Sequence, residues 1–102
     1  MRTPKYDYQL YMVPLQDGRR LIAEPPLDVV VSREGGLYVA KVPALTGDRP
    51  SFGKSIDLMH TDLCHDIDAA WCLYAEEDIN ELAPDGIEFR DTLLKAFRVE
   101  EA

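Results

Sequence analysis

The order of periodicities in this chain predicts an α+β fold: an antiparallel sheet of three to five strands covered by one long helix, with a shorter helix near the C-terminus. Two observations carry that expectation. Apolar residues alternate with polar ones through the first part of the chain, punctuated by tight-turn signals at Asp17-Gly18 and Gly35-Gly36. After Ser51 the apolar spacing changes to that of a helix.

Tyr6 to Val13 reads as a strand, with Tyr6, Tyr8, Leu10 and Met12 on one side and Asp7, Gln9, Tyr11 and Val13 on the other. Pro14 ends it, and Leu21-Ile22-Ala23 returns until Pro25-Pro26 stops the pairing, because proline has no N–H to give to a ladder. A second hairpin joins β-branched Val29-Val30-Val31 to Leu37–Val42 through the two glycines. Leu45 to Ser51 is rich in Thr, Gly, Asp, Arg and Pro and reads as a loop. With Ser51 as N-cap, Phe52, Ile56, Met59, Leu63, Ile67, Ala70 and Tyr74 then form the inward stripe of the long helix. Asp78 to Leu82 is a break. Pro84 opens a second helix reaching to about Arg98, with Ile87, Leu94 and Phe97 inward and Val99 to Ala102 as a frayed tail.

The 102 residues have room for one core, so residues 1–102 are expected to form a single domain. Hydrophobic residues make up 46% and charged residues 29%, a composition that folds rather than remains disordered. The opening Met1-Arg2-Thr3-Pro4-Lys5 leads into no signal-peptide-like apolar run, and no segment is long and apolar enough for a membrane span. Cys64 and Cys72 lie two turns apart on one helix, about 12 Å by helical rise, too far to bridge. Reduced thiols and a cytoplasmic location are expected. The formal net charge of −8 repels phosphate backbones and counts against direct nucleic-acid binding.

His60, Cys64, His65 and Cys72 are the histidines and cysteines of the chain, and all fall on the long helix. His60 and Cys64 share a face one turn apart, a legitimate two-ligand spacing, but His65 points about 100° away from Cys64 and Cys72 lies two turns on. One helix does not converge them on an ion, so neither a metal nor any other cofactor is expected. A Cys64–His60 nucleophile pair has the right separation, yet nothing in the sequence orients the base or supplies oxyanion donors. No catalytic residue is assigned.

The acidic residues are distributed unevenly. Asp57, Asp62, Asp66, Asp68, Glu76, Glu77, Asp78 and Glu81 face only Lys54 between Ser51 and Glu81. A solvated helix face explains that excess, and so does a surface that docks a basic partner. Trp71 and Tyr74 end the helix in a bulky patch that either caps the core or anchors an interface. The candidate partner-binding residues are therefore Asp57, Asp62, Asp66, Asp68, Trp71 and Tyr74. Tyr6, Tyr8 and Tyr11 offer apolar surface beside an unpaired strand edge, which predicts self-association as a homodimer or larger assembly.

The run from Val29 to Pro43, with Ala44-Leu45-Thr46-Gly47 and a Ser-started helix from Ser51, resembles the HicB-like antitoxin family in its short orphan members without a DNA-binding segment. Trp71–Asp78, Leu82–Asp85 and Leu93–Phe97 resemble some short members as well. The resemblance implies a partial RNase-H-like β-β-β-α core and a C-terminal helix over 27–98, with residues 1–25 as an added hairpin, and a protein that neutralises a small basic toxin. The chain departs from the family in that added hairpin, in Asp48 where cysteine is frequent, and in having no basic DNA-binding segment after the core. The resulting expectation is a non-catalytic protein-binding module of HicB-like type. Its rivals are a small-molecule binder or minor enzyme using a sheet/helix cleft with His60 or His65, and a structural homo-oligomer.

Overall fold

The structure is a computed structural model and describes residues 7–45 and 49–101. It has the α+β architecture expected, a five-stranded antiparallel sheet with two helices, in the order β1 (Tyr8–Pro14), β2 (Arg20–Glu34), β3 (Leu37–Lys41), β4 (Ser51–Gly53), α1 (Ile56–Ala70), α2 (Pro84–Ala96) and β5 (Phe97–Glu100).

The two expected hairpins share one strand. β2 runs for 15 residues straight through Pro25-Pro26, with a cis Glu24–Pro25 peptide. Leu10 pairs with Leu27 and Met12 with Ile22, so the four residues Ala23–Pro26 oppose Tyr11 alone. That bulge takes both prolines out of the ladder at the point where their missing N–H groups would otherwise break it. It also shifts the faces of β1: Leu10 and Val13 are buried while Met12 is exposed, where strict alternation from Tyr8 places Met12 inward. β2 keeps its phase across the bulge, burying Leu21, Ala23, Leu27, Val29 and Val31. Its first half lies between β1 and β5, and its second half between β1 and β3.

Gly35 and Gly36 have φ of 59° and 83°, the pair of positive angles that a two-residue hairpin turn demands. Ser51–Gly53 is a strand rather than the first turn of the helix. Ser55 is the N-cap: its backbone is extended and its Oγ accepts from the Leu58 N–H at 3.1 Å. Phe52 accordingly leaves the inward stripe and is 46% exposed, whereas Met59, Leu63, Ile67 and Ala70 are buried as the period predicts. α1 continues without a break into a π turn, Trp71–Ala75, and a 3-10 turn over Ile79–Glu81 follows, capped by the Asp78 carboxylate.

α2 begins at Pro84 as expected but ends at Ala96, and the supposed tail becomes β5, paired with β2 from Arg20↔Glu100 to Ala23↔Phe97. The buried leucine of α2 is Leu93, not Leu94, which is exposed; Ile87 is only partly buried. Two adjacent leucines satisfy a helical period equally well, and the docking of Phe89, Leu93 and Ala96 against the core selects between them. Both helices contribute to one core with Leu10, Val29, Val31 and Ala40 of the sheet.

Gly53 marks the tightest approach of sheet and helix. A Cβ there would lie 2.2 Å from the Met59 backbone nitrogen. Gly53→Ala should therefore force β4 off α1 and cost about 3 kcal/mol, read as a lowered urea midpoint. Gly36→Ala meets no atom within 4 Å but must adopt a positive φ, so it should cost about 1 kcal/mol in the same measurement.

Candidate functional site

α1 presents three of its sides to different neighbours, and each gives its polar residues a different task. Toward β4, Asp62 accepts from the Phe52 N–H at 2.9 Å and Asp66 accepts from the Ser51 hydroxyl at 2.7 Å. Ser51 is fully buried. These two carboxylates were expected on a partner-binding surface. They instead serve the donors of a three-residue strand that has β3 as its one ladder partner among the described strands. The spacing of Asp62 and Asp66, one turn apart, was a visible sign that both face a single neighbour.

Away from the sheet, Asp57 is exposed in the first turn of α1, where a negative charge suits the helix dipole. At the C-terminal end Trp71 is buried in the core and its Nε1–H donates to Glu76 Oε1 at 2.9 Å. Trp71 is therefore withdrawn from any partner surface on the folded chain. Glu76 also accepts from Arg19, which in turn pairs with Asp17, so one carboxylate ties the β1–β2 turn to the end of the helix. Tyr74 is half-buried, edge-on to Phe89 with ring centroids 5.0 Å apart.

Toward β1, the helix meets Tyr8. The Tyr8 hydroxyl lies 2.6 Å from His60 Nδ1, and His60 Nε2 lies 3.5 Å from Cys64 Sγ. Sequence reasoning found no residue to orient His60, because Tyr8 is 52 positions away and is brought to it by the sheet. Burial, with a smaller contribution from Cys64, pushes the Tyr8 phenol from its ordinary value of 10.0 to about 12, so it keeps its proton. His60 is the hydroxyl's sole partner among the described residues, and the hydroxyl donates to Nδ1 in the tautomer that carries the ring proton on Nε2. That tautomer turns the Nε2 proton toward the Cys64 sulfur. In that tautomer His60 does not take a proton from the thiol, and burial pushes the Cys64 thiol up as well. The Tyr8–His60–Cys64 chain is a positioned hydrogen-bond line whose phenol and thiol are both pushed up by burial.

Tyr8 is also lost as self-association surface, since it is turned toward α1. Tyr11 is 61% exposed and bonds Gln9 Oε1, and Tyr6 lies outside the described residues. Val30 and Phe52, 44% and 46% exposed, project from the strands away from the core as Tyr11 does.

Beside the relay a groove of about 500 Å³ opens between the β1–β2 hairpin and α1, lined by Met12, Pro14, Leu15 and Gln16 on one wall and by His60, Thr61, Cys64, His65 and Asp68 on the other. Both histidines therefore reach one cleft, though His65 is exposed and His60 is bonded. Among the described residues no group of three His, Cys, Asp or Glu side chains is placed to hold a metal. Cys64 and Cys72 are both free thiols, Cys64 half-buried and Cys72 exposed. No described helix is long and apolar enough to cross a membrane.

Because Tyr8 has a raised pKa in the folded state, it contributes stability that is complete below pH 10.0 and is lost as pH rises toward about 12. An alkaline unfolding series should show that loss in the wild type, and Tyr8→Phe should remove it. Alkylation should modify exposed Cys72 before Cys64; preferential reaction at Cys64 would mean that its thiol is activated after all.

No family model, no curated protein and no solved structure matches this chain, so the assignments above stand on its own geometry.

Proposed function

We propose that this chain is a non-catalytic protein-binding module of the kind the HicB-like resemblance implies, docking a small basic protein through its helical side and pairing with a second copy of itself through the sheet. The observation that carries the reading is the segregation of charge. Between Ser51 and Ala96, the stretch that includes both helices, eleven acidic residues stand against Lys54, Arg90 and Lys95, while the rest of the chain is balanced, so this stretch holds the whole net charge of −8. An acidic field of that kind speeds association with a basic protein and repels nucleic acid.

The docking surface is narrower than the acidic helix as a whole, because Asp62, Asp66 and Asp68 are committed or covered. Asp57, Glu81, Glu88 and Asp91 remain exposed, with no hydrogen bond or ion pair to their carboxylates among the described residues. The non-catalytic reading is supported by the burial that pushes the Tyr8 phenol and the Cys64 thiol up. Self-association is supported by the free outer edge of β1 among the described strands and by exposed Tyr11, Val30 and Phe52.

The test is to co-express the protein with the products of neighbouring reading frames, isolate any basic partner, and follow association across a salt series. Reversing Asp57, Glu81 and Glu88 together to Lys should slow association about tenfold or more at low salt, leave the thermal midpoint within a few degrees, and flatten the salt dependence. Equal rates for both proteins at every salt concentration, or recovery of no basic partner, would sink the docking reading. Sedimentation that shows only monomer at micromolar concentrations would remove the self-association.

A further inference from the structure

Among the described residues Arg90 keeps a buried Nε without a partner, and the one buried acid, with its carboxylate unpaired, is Asp68. It is 7% exposed, lies on the wall of the groove between the β1–β2 hairpin and α1, and has no hydrogen bond or ion pair to its carboxylate among the described residues. The Asp68 oxygens keep contact with solvent, and the groove they line is open to a donor that would satisfy them. The neighbouring charges do not supply one. Arg19 on the hairpin turn is engaged by Asp17 and Glu76. His60 is occupied by Tyr8 and Cys64. His65, one turn before Asp68, is exposed and makes no ion pair with it. The opposite wall is Met12, Pro14 and Leu15, an apolar strip, together with Gln16.

A carboxylate accepts hydrogen bonds and does not donate them, and an apolar strip on the opposite wall suits a carbon chain that carries a donor at its end. We infer that this groove is a receptor for an organic cation, an alkylammonium or guanidinium group whose charge is neutralised by Asp68 and whose apolar stem lies along Met12, Pro14 and Leu15. The volume, about 500 Å³, is in the range of small-ligand sites and accommodates such a group readily. The inference does not depend on the acidic docking surface, since Asp57, Glu81 and Glu88 do not line the groove.

The probes are n-butylammonium and n-butylguanidinium ions, with neutral n-butanol as control, titrated while the NMR signals of the Met12 methyl and the His65 ring are followed. The cations should shift both signals saturably at millimolar concentration, and butanol should not. Asp68→Asn should weaken the cations at least tenfold while leaving the fold intact. Should that variant not fold, Thr61→Trp, at an exposed position on the rim, should abolish the shifts by filling the groove. The protein with Asp57, Glu81 and Glu88 reversed should bind the cations within about twofold of the wild type, which separates this site from the docking surface. Blocked tripeptides with a central Lys or Arg distinguish the source of the cation: tighter binding than the free ions assigns the groove to a protein side chain, and binding of the free ions alone assigns it to a small molecule. No saturable shift in the wild type, an unchanged affinity in Asp68→Asn, or equal saturation by butanol would overturn the inference.

Discussion

The continuity of β2 across Pro25-Pro26 is the constraint on which the remaining structure hangs. Because the strand does not stop at the prolines, its first half offers a site to β5 and its second half a site to β3, with β1 spanning both. The bulge that makes this work also turns β1, so that Tyr8 and Leu10 face α1 and Val13 still reaches the core three residues later. Had β2 ended at Glu24, there would be two separate hairpins and no common core for both helices to cover.

α1 is where sheet and surface are reconciled. Its apolar side is spent on Met59, Leu63 and Ile67, all at or near zero exposure, and truncating one of these to alanine removes packing worth about 3 kcal/mol. Its polar sides are divided by distance from β4 and β1. Close to β4, carboxylates accept from the Phe52 N–H and the Ser51 hydroxyl. Close to β1, a tyrosine and a histidine meet at hydrogen-bond distance. Charge that reads as one uniform face along the helix is thus split between structural anchors, a buried acid and a solvent-exposed remainder.

That division bears on function. Histidine, cysteine and a hydroxyl in a line suggest nucleophilic chemistry until the protons are placed. Burial pushes both the Tyr8 phenol and the Cys64 thiol up, so the two ends of that line hold their protons at neutral pH. The groove beside that line and the acidic side of the helices stay open to the outside.

Much of the fold was legible in the sequence. The change from period two to period 3.6, the glycines at 35 and 36, the break near Asp78 and Pro84 as a helix start are local properties, and local properties survive folding because they act through each segment's own backbone. The inward residues of α1 were legible for the same reason. What the chain could not declare locally was pairing. Whether Pro25-Pro26 ends a strand or sits in its bulge depends on β1 opposite; whether Ser51 or Ser55 caps the helix depends on β3 offering a ladder to Ser51–Gly53; whether Phe97–Glu100 is tail or strand depends on β2, some 75 to 80 residues earlier. The roles of Asp62, Asp66, Asp68 and Tyr8 likewise follow from which surface each meets. The sequence by itself determined the two turns, the long helix and its apolar face, and the start of the second helix, because those are set by residues close in the chain; the tertiary structure decided the short strands β4 and β5, the faces of β1 and α2, and which polar groups are anchors, buried or free, because each of these is defined by a partner far away in sequence.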